Sequence, residues 1–278
     1  MLGDFDYFCP KSLNEAVDLL QKPGAKVFAG GTDLIVSMRN GIMHHLLLVD
    51  IKKVEKLRIT SAEQGELHIG AAVTVNELLE SQEVREQFPI LVEAAASLAS
   101  YQVRNRATVI GNLCNASPAA DMAPALLVLN AKLEIFSRTG TREIPLGQLF
   151  TGVKRTSLSE GEIVTQLKVP LEKGSGKYLK KSRLKGHDLS AVGVAGFFNG
   201  SEMRLAIGAC APTPVLCSFS PSNMSYDEIL ETAIQKVREI TKPIADIRAG
   251  REYRIAIIEV YVERVLSSIL RQEGEMLL

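Results

Sequence analysis

The feature that most limits how this chain can fold is the stretch from Arg104 to Pro124, RNRATVIGNLCNASPAADMAP. It is rich in small residues and poor in both helix and strand periodicity. Gly111, Asn112, Asn115, Ser117 and Pro118 each favour loops for a physical reason of their own. The stretch reads as one long loop, and a buried loop needs partners for its backbone polar groups. A bound polar ligand is one such partner. A second small-residue loop, Ala29-Gly30-Gly31-Thr32-Asp33, follows the apolar Val27 and Phe28. Two loops with exposed N–H groups could hold one extended anionic ligand between them.

Composition excludes several other functions. A length of 278 residues suggests two domains. Basic and acidic residues balance at 32 each, which argues against nucleic acid as the main partner. No apolar run approaches the roughly 18 residues expected of a membrane span. The start, MLGDFDYFCP, has no basic region and does not read as a signal peptide, so a cytoplasmic location is expected. Cys9, Cys114, Cys210 and Cys217 lack CxxC spacing, so no cluster or zinc site is expected. His44, His45, His68 and His187 form no HxxxH or HExxH pair, and metal ligation is not expected. No GxGxxG follows a strand, and Gly176-Lys177 runs into Tyr178 rather than completing a P-loop.

Ser12-x-x-Glu15, Thr74-x-x-Glu77 and Ser225-x-x-Glu228 are capping-box patterns, each opening a helix. Residues 26–29 read as a strand entering the first loop, Leu34, Ile35 and Met38 as a helix, and Leu46–Ile51 as a buried strand. Glu66–Ala71, Ala131–Phe136 and Glu162–Val169 read as strands, and Pro89–Ser100 as an Ala-rich helix. PLEKGSG at 170–176 is the best domain boundary by composition. Beyond it, Ala191–Phe198 and Met203–Ala209 flank Asn199-Gly200, a hairpin signal. Two helices, from Ser225 to about Ile240 and from Tyr253 to Leu270, complete the chain. Strands followed by helices suggest an α+β C-terminal domain.

AGGTDL at 29–34, QVRNRATVIGN at 102–112 and ASPAAD at 116–121 resemble the FAD-binding subunit of the molybdenum hydroxylases. GACAPTPV at 208–215 and the DIRAxxEYR-like run at 246–254 are similar to further motifs of that family, so the resemblance spans nearly the whole chain. It implies an α+β fold: a two-lobed FAD-binding domain of the vanillyl-alcohol-oxidase-like (PCMH) type over 1–170, with lobes of about 1–55 and 56–170. A smaller α+β domain follows over 177–278. It implies FAD as cofactor and a molybdopterin-containing large subunit and a [2Fe–2S] small subunit as partners. Electrons would pass through FAD to NAD or another acceptor. Two alternatives remain: a self-contained flavin oxidoreductase, or a non-catalytic nucleotide-binding or assembly protein without FAD affinity.

By the same resemblance, Val27, Phe28, Ala29, Gly30, Gly31, Thr32, Asp33 and Leu34 contact FAD from the first loop. Thr108, Val109, Ile110, Gly111 and Asn112 do so from the second. Asp121, Val164 and Lys180 complete the implied site, and no side chain is assigned an acid–base role. Backbone N–H clusters suit a pyrophosphate, and glycines permit close approach. Read from residues alone, GGTD is more often an ordinary strand-to-helix turn, and Asp121 an N-cap, a role compatible with contacting the ligand. The family pattern resembles T-I-G-G-N, whereas Ile110 stands here in place of a glycine. Either the loop is shifted or that position is unstrained, because a β-branched residue avoids positive φ. Arg104 and Arg106 could offset phosphate charge or brace the loop. Lys177, Lys180, Lys181, Arg183 and Lys185 form a basic run, a solvated face or a receiver for anions.

Overall fold

The structure, a computed structural model, describes residues 4–44, 46–184 and 187–277, with side chains described as far as residue 271. His45 and Lys185, singled out in the sequence, lie outside the described residues. The chain opens with β1 (Phe5–Phe8), α1 (Leu13–Leu20), β2 (Ala25–Phe28), α2 (Leu34–Arg39) and β3 (Leu46–Asp50). The strands make a parallel sheet in the order β1-β3-β2. Every residue of the central β3 is buried, as a parallel strand covered on both faces should be. Its alternation decides which helix covers which face. Leu47 and Val49 cluster with Ala16, Val17 and Leu20 of α1, whereas Leu46 and Leu48 cluster with Met38 of α2.

The second lobe runs β4 (Thr60–Glu63), β5 (Glu66–Gly70), α3 (Val75–Glu80), α4 (Gln82–Gln87), α5 (Pro89–Ser97) and α6 (Tyr101–Arg104). It continues with α7 (Val109–Cys114), α8 (Met122–Val128), β6 (Lys132–Ser137), β7 (Gly140–Pro145), β8 (Phe150–Gly152), β9 (Arg155–Thr156) and β10 (Ile163–Pro170). An antiparallel sheet is ordered β4-β5-β10-β6-β7, with β8 and β9 pairing separately. Leu67, Ile69, Leu133, Ile135, Leu167 and Val169 point into the main core. On the other face Lys168 pairs with Glu134 and Glu143 at 3.2 and 3.0 Å.

The chain ends with β11 (Ser175–Ser182), β12 (Ser190–Phe198), β13 (Met203–Gly208), β14 (Val215–Phe219), α9 (Tyr226–Ile240) and α10 (Arg251–Leu277). Its four strands form an antiparallel meander. Tyr178, Ala195, Phe197 and Ala206 join the main core on one face. Val192, Val194, Leu205 and Ile207 pack with Ile229, Val237, Val262 and Val265 of α9 and α10 on the other.

The capping boxes at Thr74 and Ser225 are complete in both directions. At Ser12 only half forms, because the Glu15 carboxylate accepts from the Lys11 N–H, at 2.9 Å. One expectation needs correction. Arg104–Pro124 is not a single long loop: α6 ends at Arg104, α7 spans Val109–Cys114 and α8 begins at Met122. Burial of Val109, Ile110 and Leu113 carries α7 despite the weak helix propensity of Gly111 and Asn112. Residues 105–108 and 115–121 stay irregular, and the longer piece is tied at its backbone. There Ala116 and Pro118 carbonyls accept from Lys154 and Ala209 N–H groups at 2.9 and 2.7 Å.

Candidate functional site

The first loop leaves the end of β2. The Ala29 carbonyl accepts from Lys52 Nζ at 3.0 Å. Gly31 has φ +73, a conformation that glycine adopts without penalty. Among the described residues, no carbonyl or side chain accepts from the N–H groups of Gly30, Gly31, Thr32, Asp33 or Leu34. Asp33 stands at the N-cap position of α2, but its exposed side chain makes no capping bond. The loop is therefore a run of half-buried donors without internal acceptors.

The second segment is held from several sides. Thr108 is buried and its Oγ1 caps α7 by accepting from the Gly111 N–H at 3.0 Å. A Cβ on Gly111 would lie 2.5 Å from that oxygen, so a side chain there would force the capping hydroxyl to shift. Val109 donates to the Val73 carbonyl and Val75 to the Ala107 carbonyl, strapping the segment to the start of α3. Arg104 answers the question of its role in favour of bracing. Its guanidinium donates to the Leu98 and Ala99 carbonyls at 2.9 and 3.0 Å and to Asn76 at 3.1 Å. Arg106 is exposed and makes no ion pair among the described residues. Ile110 lies within α7, without positive φ, and is 4% exposed in the main core. The position that differs from the family pattern is unstrained.

The two segments touch. A Cβ on Gly30 would lie 2.0 Å from the Arg106 carbonyl oxygen and 3.0 Å from Ala107 Cα. Only a residue without a side chain lets the backbones approach this closely. Residues 29–31 and 106–108 thus share one junction, although distant in sequence.

Asp121 and Lys180 also come together, 2.8 Å apart with side chains 8% and 7% exposed. Asp121 occupies an N-cap position without making a capping bond. Instead it accepts from Ser190 Oγ at 2.5 Å and Tyr178 hydroxyl at 3.4 Å, while Lys180 also donates to the Ser97 carbonyl at 2.9 Å. Burial pushes the Asp121 carboxyl above the ordinary range, against the pull of Lys180 and the hydroxyls. Val164 sits on β10 with its side chain in the main core, so it offers a ligand its backbone alone. Burial pushes the Cys114 thiol up to about 12, which makes it inert. The basic run does not form one face: Lys177 pairs with Glu93 on α5 at 2.5 Å, and Lys180 with Asp121.

The C-terminal motifs buttress this region. Asp246 accepts from Arg248 and Arg254 at 2.5 and 2.6 Å. Arg254 is fully buried and donates to the Ala209 carbonyl at 2.9 Å, and the Ala209 N–H donates to Pro118 at 2.7 Å. Sequence reasoning missed Asn76, Tyr178 and Ser190, since single polar residues on periodic elements give no signal of what they meet. Two hollows lie along α9 and between α9 and α10, lined by residues such as Leu230, Val237 and Ile258. Neither includes a residue of the two loops. The candidate site is the donor-rich junction, because donors rather than concavity recognise an anion.

Comparison with known proteins decides what that junction belongs to. A family model described as the FAD binding domain in molybdopterin dehydrogenase matches residues 3–172. The chain belongs to this family of flavoprotein subunits. A second model, described as the CO dehydrogenase flavoprotein C-terminal domain, matches residues 177–269. The xanthine dehydrogenase FAD-binding subunit of Escherichia coli is 34% identical, with 96% of this chain and 97% of that protein covered. The carbon monoxide dehydrogenase medium chain of Hydrogenophaga pseudoflava is 30% identical, covering 95% and 96%. Among solved structures, a carbon monoxide dehydrogenase from that organism superposes with a TM-score of 0.88 at 28% identity, covering 98% of this chain and 99% of its own. The enzyme from Oligotropha carboxidovorans gives 0.90 at 27% identity, covering 97% and 98%. The flavoprotein therefore has the two-domain FAD-binding fold, FAD is its cofactor, and it is the FAD subunit of an oxidoreductase of the molybdenum hydroxylase family. Among the described residues, no helix is long and apolar enough to cross a membrane, and no three His, Cys, Asp or Glu side chains are grouped as metal ligands.

Proposed function

We propose that the flavoprotein relays electrons from a [2Fe–2S] small subunit, served by a molybdopterin-containing large subunit, to NAD or another acceptor. Bound FAD supplies the redox chemistry, and the protein binds, orients and tunes it. The observation that carries this reading is the contact of Gly30 with the Arg106 carbonyl. It sets Gly30, the first of the free N–H donors, against residues 106 and 107, which lead into 108–112, and the two segments would hold the diphosphate between them. Asp121 and Lys180 form the polar floor between α8 and β11, and the cytoplasm is the expected location. The division between a FAD-binding domain, 1–170, and a C-terminal domain, 177–278, belongs to the same proposal. It agrees with the change of sheet between β10 and β11.

The relatives named above are subunits or medium chains of multi-chain enzymes, which supports the partner assignment. The test is purification with any co-purifying chains, a visible spectrum, and turnover assays. A yellow protein that oxidises NADH with an artificial dye, but reacts with no organic substrate alone, supports the relay. Flavin reduction by an organic substrate without partners would point to a self-contained oxidase. A colourless chain that FAD cannot reconstitute would leave a nucleotide-binding or assembly role.

A further inference from the structure

Lys52 lies just after β3, and its ammonium has two oxygen partners. It donates to the Ala29 carbonyl at 3.0 Å and to the Asp50 carboxylate at 2.7 Å, and lies 4.3 Å from the centre of the Phe28 ring. Asp50 is buried, and its other oxygen accepts from the Lys52 backbone N–H at 3.0 Å. The Tyr7 hydroxyl donates to the same carboxylate, and the Tyr7 ring stands edge-on to Phe28 at 6.3 Å. Burial alone would raise the Asp50 carboxyl, but hydrogen bonds from Lys52 and Tyr7 hold it below its ordinary range. The carboxylate is thus kept as a fixed counter-charge for the ammonium. Three strands converge here: Tyr7 from β1, Phe28 from β2 and Asp50 from β3.

The Lys52 ammonium and the Tyr7 ring reach residues 28 and 29, where the first loop leaves the sheet. The Ala29–Gly30 peptide is planar and trans, so its C=O and N–H point in opposite directions. A tie on the Ala29 oxygen therefore sets the direction of the Gly30 N–H, the first of the free donors. We propose that Lys52 is a positioning residue for FAD, holding the Ala29 carbonyl so that the Gly30 N–H faces the diphosphate, with Asp50 and Tyr7 fixing its ammonium. This rests on the reading that the first loop binds the diphosphate.

The test uses the full chain and FAD. Lys52→Met keeps an unbranched side chain of similar length but removes the donor; Lys52→Arg restores a cationic donor. FAD Kd is measured by flavin fluorescence, and the phosphorus NMR signals of the bound diphosphate are recorded for each variant. Lys52→Met should weaken FAD binding about tenfold and move the phosphorus signals. Lys52→Arg should recover most of the affinity and the wild-type signals. A Kd unchanged in Lys52→Met, a loss equal in both variants, or a loss with unmoved phosphorus signals would overturn the assignment. Should Lys52→Met not fold, Asp50→Asn takes its place, since it frees the ammonium from its counter-charge. Weaker FAD binding with moved phosphorus signals then supports the role of Lys52, and an unchanged Kd or unmoved signals overturn it. If wild type itself takes up no FAD, the diphosphate reading fails first and this inference goes with it. If wild type binds and Lys52→Met binds equally, only the role of Lys52 fails.

Discussion

Gly30→Ala is the sharpest perturbation of the proposed site. Gly30 does not have positive φ, so alanine suits its backbone, and any effect comes from the added methyl alone. That methyl would sit 2.0 Å from the Arg106 carbonyl oxygen, which belongs to the backbone and cannot swing aside. Ordinary contact requires the two segments to separate by roughly 1 Å or more. A separation of that size breaks one or two charge-assisted hydrogen bonds to a shared diphosphate, each worth about 1.5–3 kcal/mol. The FAD Kd should therefore rise by about tenfold if one weak bond is lost and by roughly 10⁴-fold if two strong ones are. Titration of the apoprotein with FAD, followed by fluorescence, gives the number, and apoprotein thermal unfolding shows whether the fold survives. Gly31→Ala is the control. There φ is +73 and the new methyl meets the movable Phe28 ring, so a conformational penalty of about 1–2 kcal/mol is expected instead. If folded Gly30→Ala binds FAD as tightly as wild type, the junction does not hold the diphosphate.

Other outcomes follow from the buried groups. Ile110→Gly should lose about 3–5 kcal/mol of stability by chemical denaturation, from the cavity and the helix propensity lost, and should not tighten FAD binding. Lys180→Met leaves the Asp121 charge buried and should cost about 3–5 kcal/mol at neutral pH. Because the Asp121 pKa is already raised, protonation relieves that unpaired charge, so the deficit should shrink as pH falls in a denaturation series. The Asp246 carboxyl is held well below its ordinary range by hydrogen bonds from Arg248, against burial, and also by Arg254. Its stabilising contribution is present above the unfolded pKa of about 4 and is lost as pH falls toward the folded value. Asp246→Asn should therefore be most destabilised at neutral pH, and the gap to wild type should close in acid.

Much of the fold was legible because burial imposes period. β3, β5, β10, β12 and β13 are apolar or alternating, and the helices after Thr74 and Ser225 announce themselves by reciprocal caps. β1 was missed because four exposed residues, FDYF, give no alternation. β7 was missed because a single residue of it is buried. α7 was hidden by Gly111 and Asn112, whose weak propensity is overridden by the core around Ile110. The loop residues were legible through the resemblance, but their contact was not, since nothing in Gly30 names Arg106 as its neighbour. The pairing of Asp121 with Lys180 was equally silent: local patterns carry one side of a tertiary contact. Lys52 gave no signal, because its value lies in reaching Ala29 across the sheet.

The central claim is that one diphosphate is bound where the two segments meet. A crystal structure of the full chain with FAD tests it directly. The diphosphate oxygens should accept hydrogen bonds from backbone N–H groups within residues 30–34 and from the segment 108–112. A diphosphate bound elsewhere, such as the groove between α9 and α10, with both segments untouched, would contradict the account.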